Sequence, residues 1–344
     1  MQLGAISILV ENLEEALKTY LKLFGSNNVD QVIEMEGLSD FDDIVDSYYL
    51  KTWPINICLS RPRSSEGNLG SYLKTFGEGI HHMTLHLSQA EFEEIYDRFE
   101  EAGIPVSKIV YLGKFSEAIF WVDEAGRQNL PVKFATKTFR RLRRWKETKF
   151  LDTPKRFRSF IPPRRYVRPF IRIKSVMITV GQLGNQIDVW SDMLSTKPVP
   201  IGCIFTNEPG EVNDGRGNIF VPYRFQFRND AGVNIYFAVN EDAPIRKAMA
   251  KHGRGAMYHN AAAYVVRDRV HEYWKDLEKS GFAMVDPKPL LNTNKGNGNY
   301  FFFVHPMSTH GVLWEFVSLI SRDEKGAARY DWTHAETYMV APDV

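Results

Sequence analysis

Cysteine is scarce here. Only Cys58 and Cys203 occur among 344 residues, far apart and in no CxxC pair, so neither a disulfide framework nor a thiolate zinc site is indicated. Net charge is also nearly absent, at +1 from 43 basic and 42 acidic residues. No global field therefore selects a nucleic acid or a membrane as partner. No apolar run approaches the roughly 20 residues that a membrane-spanning helix needs. The N-terminus also lacks a basic segment leading into a long apolar stretch, so a cytoplasmic protein is expected. What remains is ordinary for a globular chain: 44 % hydrophobic, 25 % charged and long enough for two cores.

The chain repeats itself. The segment ISILVENLEEALKTYLKLFG from Ile6 has the layout of VMITVGQLGNQIDVWSDMLS from Val176. Each reads as a β-branched strand, a turn and an amphipathic helix, with Tyr20 matching Trp190 and Leu23 matching Met193 on the helix face. A second pair begins at Gly77 and Gly253, each a strand, a helix and a glycine turn at Gly103 or Gly281. Ser88 followed by Glu91 is a helix-start signal. Each half closes with a strand pair, AIFWVDEAGRQNLPVKFAT or NYFFFVHPMSTHGVLWEFV. The pattern predicts an α+β chain of four β-α-β-β-β units, two per half. Expected boundaries are a first domain at 1–136, a basic linker at 137–171, a second domain at 172–322 and a tail at 323–344. The linker carries Lys and Arg against only Glu147 and Asp152, and Pro154, Pro162, Pro163 and Pro169 break any long helix. Such a run is most simply a solvated connection. A phosphate-binding strip or docking on the acidic stretch Glu36–Asp46 are the functional alternatives.

The stretch GEGIHHMTLHL, from Gly77 to Leu87, concentrates three histidines. Strand alternation puts His82, Thr84 and His86 on one face and His81, Met83, Leu85 and Leu87 on the other. The apolar set suits a face under helices, which leaves His82, Thr84 and His86 to line a cavity. His82 and His86 lie about 13 Å apart along a strand, too far to share a metal.

LSRPRSSEGNLGSYLKTFGEGIHHMTLHL, together with NYFFFVHPMSTHGVLWEFV and the helix entry ENLEEALKTYLKLFG, resembles methylmalonyl-CoA epimerase and the wider glyoxalase, or vicinal oxygen chelate, superfamily. The resemblance covers most of both halves. It implies two glyoxalase-like domains with curved sheets around cavities and helices outside. It also implies a divalent metal such as Zn, Fe, Mn or Co, chelated by the vicinal oxygens of a small-molecule substrate.

Placed on that pattern, the first-strand histidine falls at Ala5 and Ser175, the second histidine at His82 and Asn260, and the glutamate at Lys133 and Glu315. The middle strand offers Asn56 or Cys58 in one half and Tyr236 in the other. A slide of one residue would put His259 in place of Asn260. No complete His, Gln, His, Glu set results, so either His82, Glu315, His259 and His305 contribute to a substitute site or the protein works without metal. The favoured activity is epimerisation or isomerisation by proton abstraction next to a carbonyl, with Glu315, His82, Tyr236 and Asn260 as the catalytic set. A non-haem iron dioxygenase and a non-catalytic small-molecule-binding protein are the alternatives, and a homodimer is an expectation.

Overall fold

The computed structural model describes residues 1–24, 29–36, 43–52, 54–112, 117–122, 130–137, 149–151, 156–157, 171–181, 186–196, 199–200, 212–213, 219–228, 231–251, 253–292, 299–319, 321–322 and 328–329. The chain divides into two compact units, each built on one sheet. The first begins with β1 (Gln2–Leu9), α1 (Leu13–Phe24), β2 (Val29–Glu36), β3 (Asp43–Leu50) and β4 (Asn56–Pro62). After α2 (Asn68–Phe76) the same order returns as β5 (Gly79–Leu87), α3 (Gln89–Glu101), β6 (Val110–Leu112), β7 (Glu117–Val122) and β8 (Val132–Lys137). Two short strands follow, β9 (Lys149–Leu151) and β10 (Arg156–Phe157).

The second unit holds β11 (Ile171–Val180), α4 (Gln186–Leu194), β12 (Val199–Pro200), β13 (Val212–Asn213), β14 (Ile219–Gln226) and β15 (Gly232–Ala238). Then come α5 (Pro244–Lys251), β16 (Ala256–Val266), α6 (Val270–Lys279), β17 (Leu290–Asn292), β18 (Asn299–Val304) and β19 (Leu313–Leu319).

The two sheets share one strand order. In the first it runs β10-β2-β3-β4-β1-β5-β8-β7-β6-β9, and in the second β12-β14-β15-β11-β16-β19-β18-β17. At the centre of each, two modules meet along an antiparallel pair, β1 with β5 or β11 with β16. Each member of that pair is flanked by a parallel neighbour, β4 and β8 or β15 and β19. Both sheets are mixed and curved, so the expected α+β architecture of four repeated modules is present.

The segment read as a solvated linker contains structure of its own. β9 adds parallel to β6 and β10 adds antiparallel to β2, closing the two edges of the first sheet. Covering an exposed edge removes a row of unpaired backbone groups that would otherwise invite association. Docking of this segment on the Glu36–Asp46 stretch, and most of the tail, lie outside the described residues. Ser321–Arg322 and Ala328–Arg329 form a separate two-stranded ribbon.

The helical repeats bury the faces that their spacing predicts. Tyr20 and Leu23 on α1, and Trp190 and Met193 on α4, are all buried. α3 packs on β5 and β8 through Phe92, Tyr96 and Phe99, whose rings meet Phe120 in edge-on contacts at 4.9 to 6.4 Å. Phe120 stacks on Phe134 at 4.9 Å, and each such aromatic pair adds about 0.5 to 1.5 kcal/mol beyond its buried area. α6 covers the second sheet in the same way, with Tyr273 against Phe302 and Phe316. Gly103 and Gly281 end α3 and α6 with positive φ of 67° and 90°, a conformation that side chains with a Cβ resist. No helix among the described residues is long and apolar enough to cross a membrane.

Ser88 caps α3 as its spacing to Glu91 predicts: the Ser88 hydroxyl accepts from the Glu91 amide, and the Glu91 carboxylate accepts from the Ser88 amide. Ser88→Ala should therefore lower stability by about 1 kcal/mol, read as a shift in the urea midpoint with an unchanged slope.

Candidate functional site

Each sheet has one face under its helices and one inner face, and the strand registers decide which residues share the inner face. In the first unit, Ala5 lies between Asn56 and Thr84, and Thr84 pairs with Lys133. One pleat on, Ser7 lies between Cys58 and His82. In the second unit the matching row is Gly232, Ser175, Ala262, Glu315 and Phe303. The next row is Arg224, Asn234, Met177, Asn260 and Leu313. His82 opposite Ser7 thus corresponds to Asn260 opposite Met177, and Lys133 corresponds to Glu315.

A β-bulge fixes this correspondence. In β5 one extra residue, His81, sits between the partners of Ser7 and Ile8, and in β16 His259 occupies the same place between the partners of Met177 and Ile178. A bulge breaks the period of two at that point. His259 is the bulged residue, so it does not take the position of Asn260 on the inner face. The bulge also corrects the expectation for His81, which was to turn away under a helix. Its Nδ1 lies 3.0 Å from Nδ1 of His82, and its ring stands edge-on to Tyr72 of α2 at 4.6 Å.

The two inner faces differ in chemistry. In the first unit His82, Lys133, Trp121, Cys58, Ser60 and Ser47 are all buried. The His82 ring stands edge-on to Trp121 at 4.6 Å, and Lys133 Nζ lies 5.4 Å from the centre of that indole. Burial, then His81 and the Lys133 charge, hold His82 well below the ordinary imidazole value, so it is neutral at physiological pH. Ser60 is bonded to Ser47 at 2.9 Å and to Cys58 at 3.3 Å. His86, expected on the same face, is exposed at the strand end with its ring against Gly4.

In the second unit Glu315 is half-buried and accepts a hydrogen bond from Asn260 Nδ2 at 3.3 Å. Loss of water around the carboxyl outweighs that bond and pushes its pKa up to about 7. Tyr236 shares the sheet but lies with Thr179 and Met257, two pleats from the Glu315 row and with two strands between them. It packs beside Ala238, Ala243 and Ile245. The structure therefore joins Glu315 with Asn260 and sets Tyr236 apart. His305 lies beyond the end of β18, where Nδ1 accepts from the Met307 amide at 3.2 Å.

Asn234 was missed by the sequence comparison. The middle strand offered Asn56 or Cys58 in one half and Tyr236 in the other, whereas the ladders pair Cys58 with Ser7 and Asn234 with Met177. Tyr236 is two residues out of register with Cys58. A slip of two keeps the face, which is why alternation alone could not expose it.

The metal implied by the resemblance can be tested against these donors. Zinc and iron sites want at least three imidazole, thiolate or carboxylate ligands. The first inner face offers the imidazoles of His82 and its neighbour His81 and the thiol of Cys58, but they are not grouped to hold an ion, and Lys133 stands where the carboxylate would be. The second supplies a single carboxylate, Glu315, among hydroxyl and amide side chains. Neither set fits such an ion, and no group of three His, Cys, Asp or Glu side chains placed to hold a metal occurs among the described residues.

The raised Glu315 pKa carries a stability consequence. The folded state holds this proton more tightly than the unfolded chain, so stability falls as pH rises from about 4.5 to about 7. The loss is at most about 3 kcal/mol, from the pKa difference at 1.36 kcal/mol per unit. Glu315→Gln removes the charging cost. Its urea midpoint should exceed that of the wild type at pH 8 and converge with it near pH 4.

No family model and no curated protein matches the chain. Solved structures do. A triple mutant of 4-hydroxymandelate synthase from Streptomyces coelicolor aligns over 92 % of this chain and 92 % of its own, with a TM-score of 0.61 at 11 % identity. Methylmalonyl-CoA epimerase from Mycobacterium tuberculosis aligns with 42 % of this chain and 86 % of its own, at 22 % identity and a TM-score of 0.34. A hypothetical protein from Bacillus halodurans C-125 aligns with 45 % of this chain and 98 % of its own, at 20 % identity and a TM-score of 0.35. With paired β-α-β-β-β modules in both units and an end-to-end structural match, this chain is a tandem protein of the vicinal oxygen chelate fold.

Proposed function

We propose that the inner face of the second unit removes a proton from a carbon next to a carbonyl, making the protein an epimerase or isomerase that works through an enolate-like state. The observation that carries this is the Glu315 carboxyl, raised to about 7 and hydrogen-bonded to Asn260. A base is most effective when its pKa lies near the working pH, and a positioned base typically contributes about 10²- to 10⁴-fold. Ionised Glu315 takes the proton. An amide N–H of Asn260 is placed to stabilise the carboxylate or an enolate oxygen beside it. Returning the proton to the opposite face of the carbon needs a second group or water.

The same face carries a second reading. Tyr264, Phe301 and Val317 form an apolar cluster with Leu290 and Phe303, which suits retention of a hydrophobic small molecule without chemistry. A ring-cleaving iron site has less support, because Ser175 and Asn260 stand where its two imidazoles would be needed.

The test is solvent deuterium uptake. Small oxo acids and acyl thioesters bearing an acidic C–H are incubated with the protein in deuterated water and read by mass spectrometry. The expected result is incorporation at that carbon, with a rate that rises with pH around 7 and falls at least 100-fold in Glu315→Gln. Equal exchange by wild type and Glu315→Gln would remove Glu315 as the base. Saturable binding with no exchange would leave the retention reading.

A further inference from the structure

The row beside Glu315 carries polar groups that the proton transfer does not use. Asn234 is fully buried, and among the described residues neither its amide nitrogen nor its amide oxygen makes a hydrogen bond. Thr179, one pleat along on the neighbouring strand, is likewise fully buried with an unbonded hydroxyl. Leaving a buried polar group unmatched is costly, so an orphaned amide beside an orphaned hydroxyl points to a group that is bound there.

The partner of Asn234 across the sheet is Arg224. Its side chain is 5 % exposed and its Nε donates to Gln226 Oε1 at 2.6 Å. It lies flat over Gly232, where an added Cβ would come within 2.9 Å of Nε. The glycine is thus what lets the guanidinium rest on the sheet. Arg224, Gln226, Asn234 and Asn260 share one face by register, and Asn260 touches Glu315. Asn234 and Asn260 are separated by β11 alone, about 10 Å across the sheet.

We propose that Arg224 and Asn234 form the subsite for the anionic end of the substrate, which is therefore a carbonyl compound carrying a carboxylate or phosphate. The guanidinium supplies positive charge, and the Asn234 amide supplies a donor. From there the substrate extends along the inner face toward the Glu315 row. This rests on the proton-transfer reading for what happens at Glu315, but the anion subsite stands or falls by binding alone.

The experiment is calorimetric titration of the full chain with 2-oxoglutarate, with dihydroxyacetone phosphate and with neutral 2-pentanone. Wild type, Asn234→Leu, Arg224→Gln and Glu315→Gln are compared. Saturable binding of at least one anion and not of the neutral ketone is expected, at least 10-fold weaker in Asn234→Leu and in Arg224→Gln. Whichever anion binds more tightly identifies carboxylate or phosphate. Asn234→Leu replaces an amide without partners by an apolar side chain of similar size, so its ligand-free urea midpoint should equal or exceed the wild type. It therefore carries the test even if Arg224→Gln fails to fold. If neither anion saturates the wild type, or Asn234→Leu binds as tightly as the wild type, the subsite is wrong. Binding retained in Glu315→Gln alongside an absence of deuterium exchange in the wild type would sink the base while leaving the subsite in place.

Discussion

The antiparallel seam at the centre of each sheet is the constraint on which the rest depends. β1 with β5, and β11 with β16, bring two copies of one module together. The seam fixes which residues of the two copies become neighbours. Each seam strand also has a parallel neighbour from its own module, so four strands of set register cross the inner face. A bulge at His81 and at His259 interrupts the seam at the same point in both units. It lets the residue after it, His82 or Asn260, face inward while the apolar residues further along return to the helices.

From one scaffold the two units have taken different inner chemistry. The first is closed around a neutral imidazole, a buried ammonium and an indole, with hydroxyl and thiol groups bonded to one another. Burial, with smaller contributions from His81 and Lys133, holds His82 unprotonated. The second keeps a half-buried carboxyl whose proton is in play near neutrality. Both departures from the metal-binding pattern come down to charge. One unit substitutes a positive group where an ion would need a negative one, and the other keeps the negative group with the neutral Asn260 amide beside it.

Much of the scaffold was legible from one sequence. The fourfold repeat, the helix faces at Tyr20, Trp190, Leu23 and Met193, the Ser88 cap and the glycine stops at Gly103 and Gly281 all rest on local rules of spacing and backbone conformation. The inner face was legible in part. Counting alternate residues put His82 there and the resemblance put Glu315 there, but the count fails at a bulge, so the roles of His81 and His259 were open. For the middle strand of the second half the sequence offered Tyr236, and only the hydrogen-bonded ladder shows that Asn234 holds the place matching Cys58.

By itself, then, the sequence determined the module, its repetition and the residues available at each strand, because these follow from periodicity and turn chemistry within a dozen or so residues. Tertiary structure alone decided which of them meet. Asn260 reaches Glu315 across a gap of 55 residues, and desolvation of that pair, which sets the carboxyl near 7, is a property of the packed sheet. The edge strands β9 and β10 were hidden for the same reason: a basic, proline-rich segment has no strand signal of its own and takes that form only where a sheet edge offers unpaired backbone.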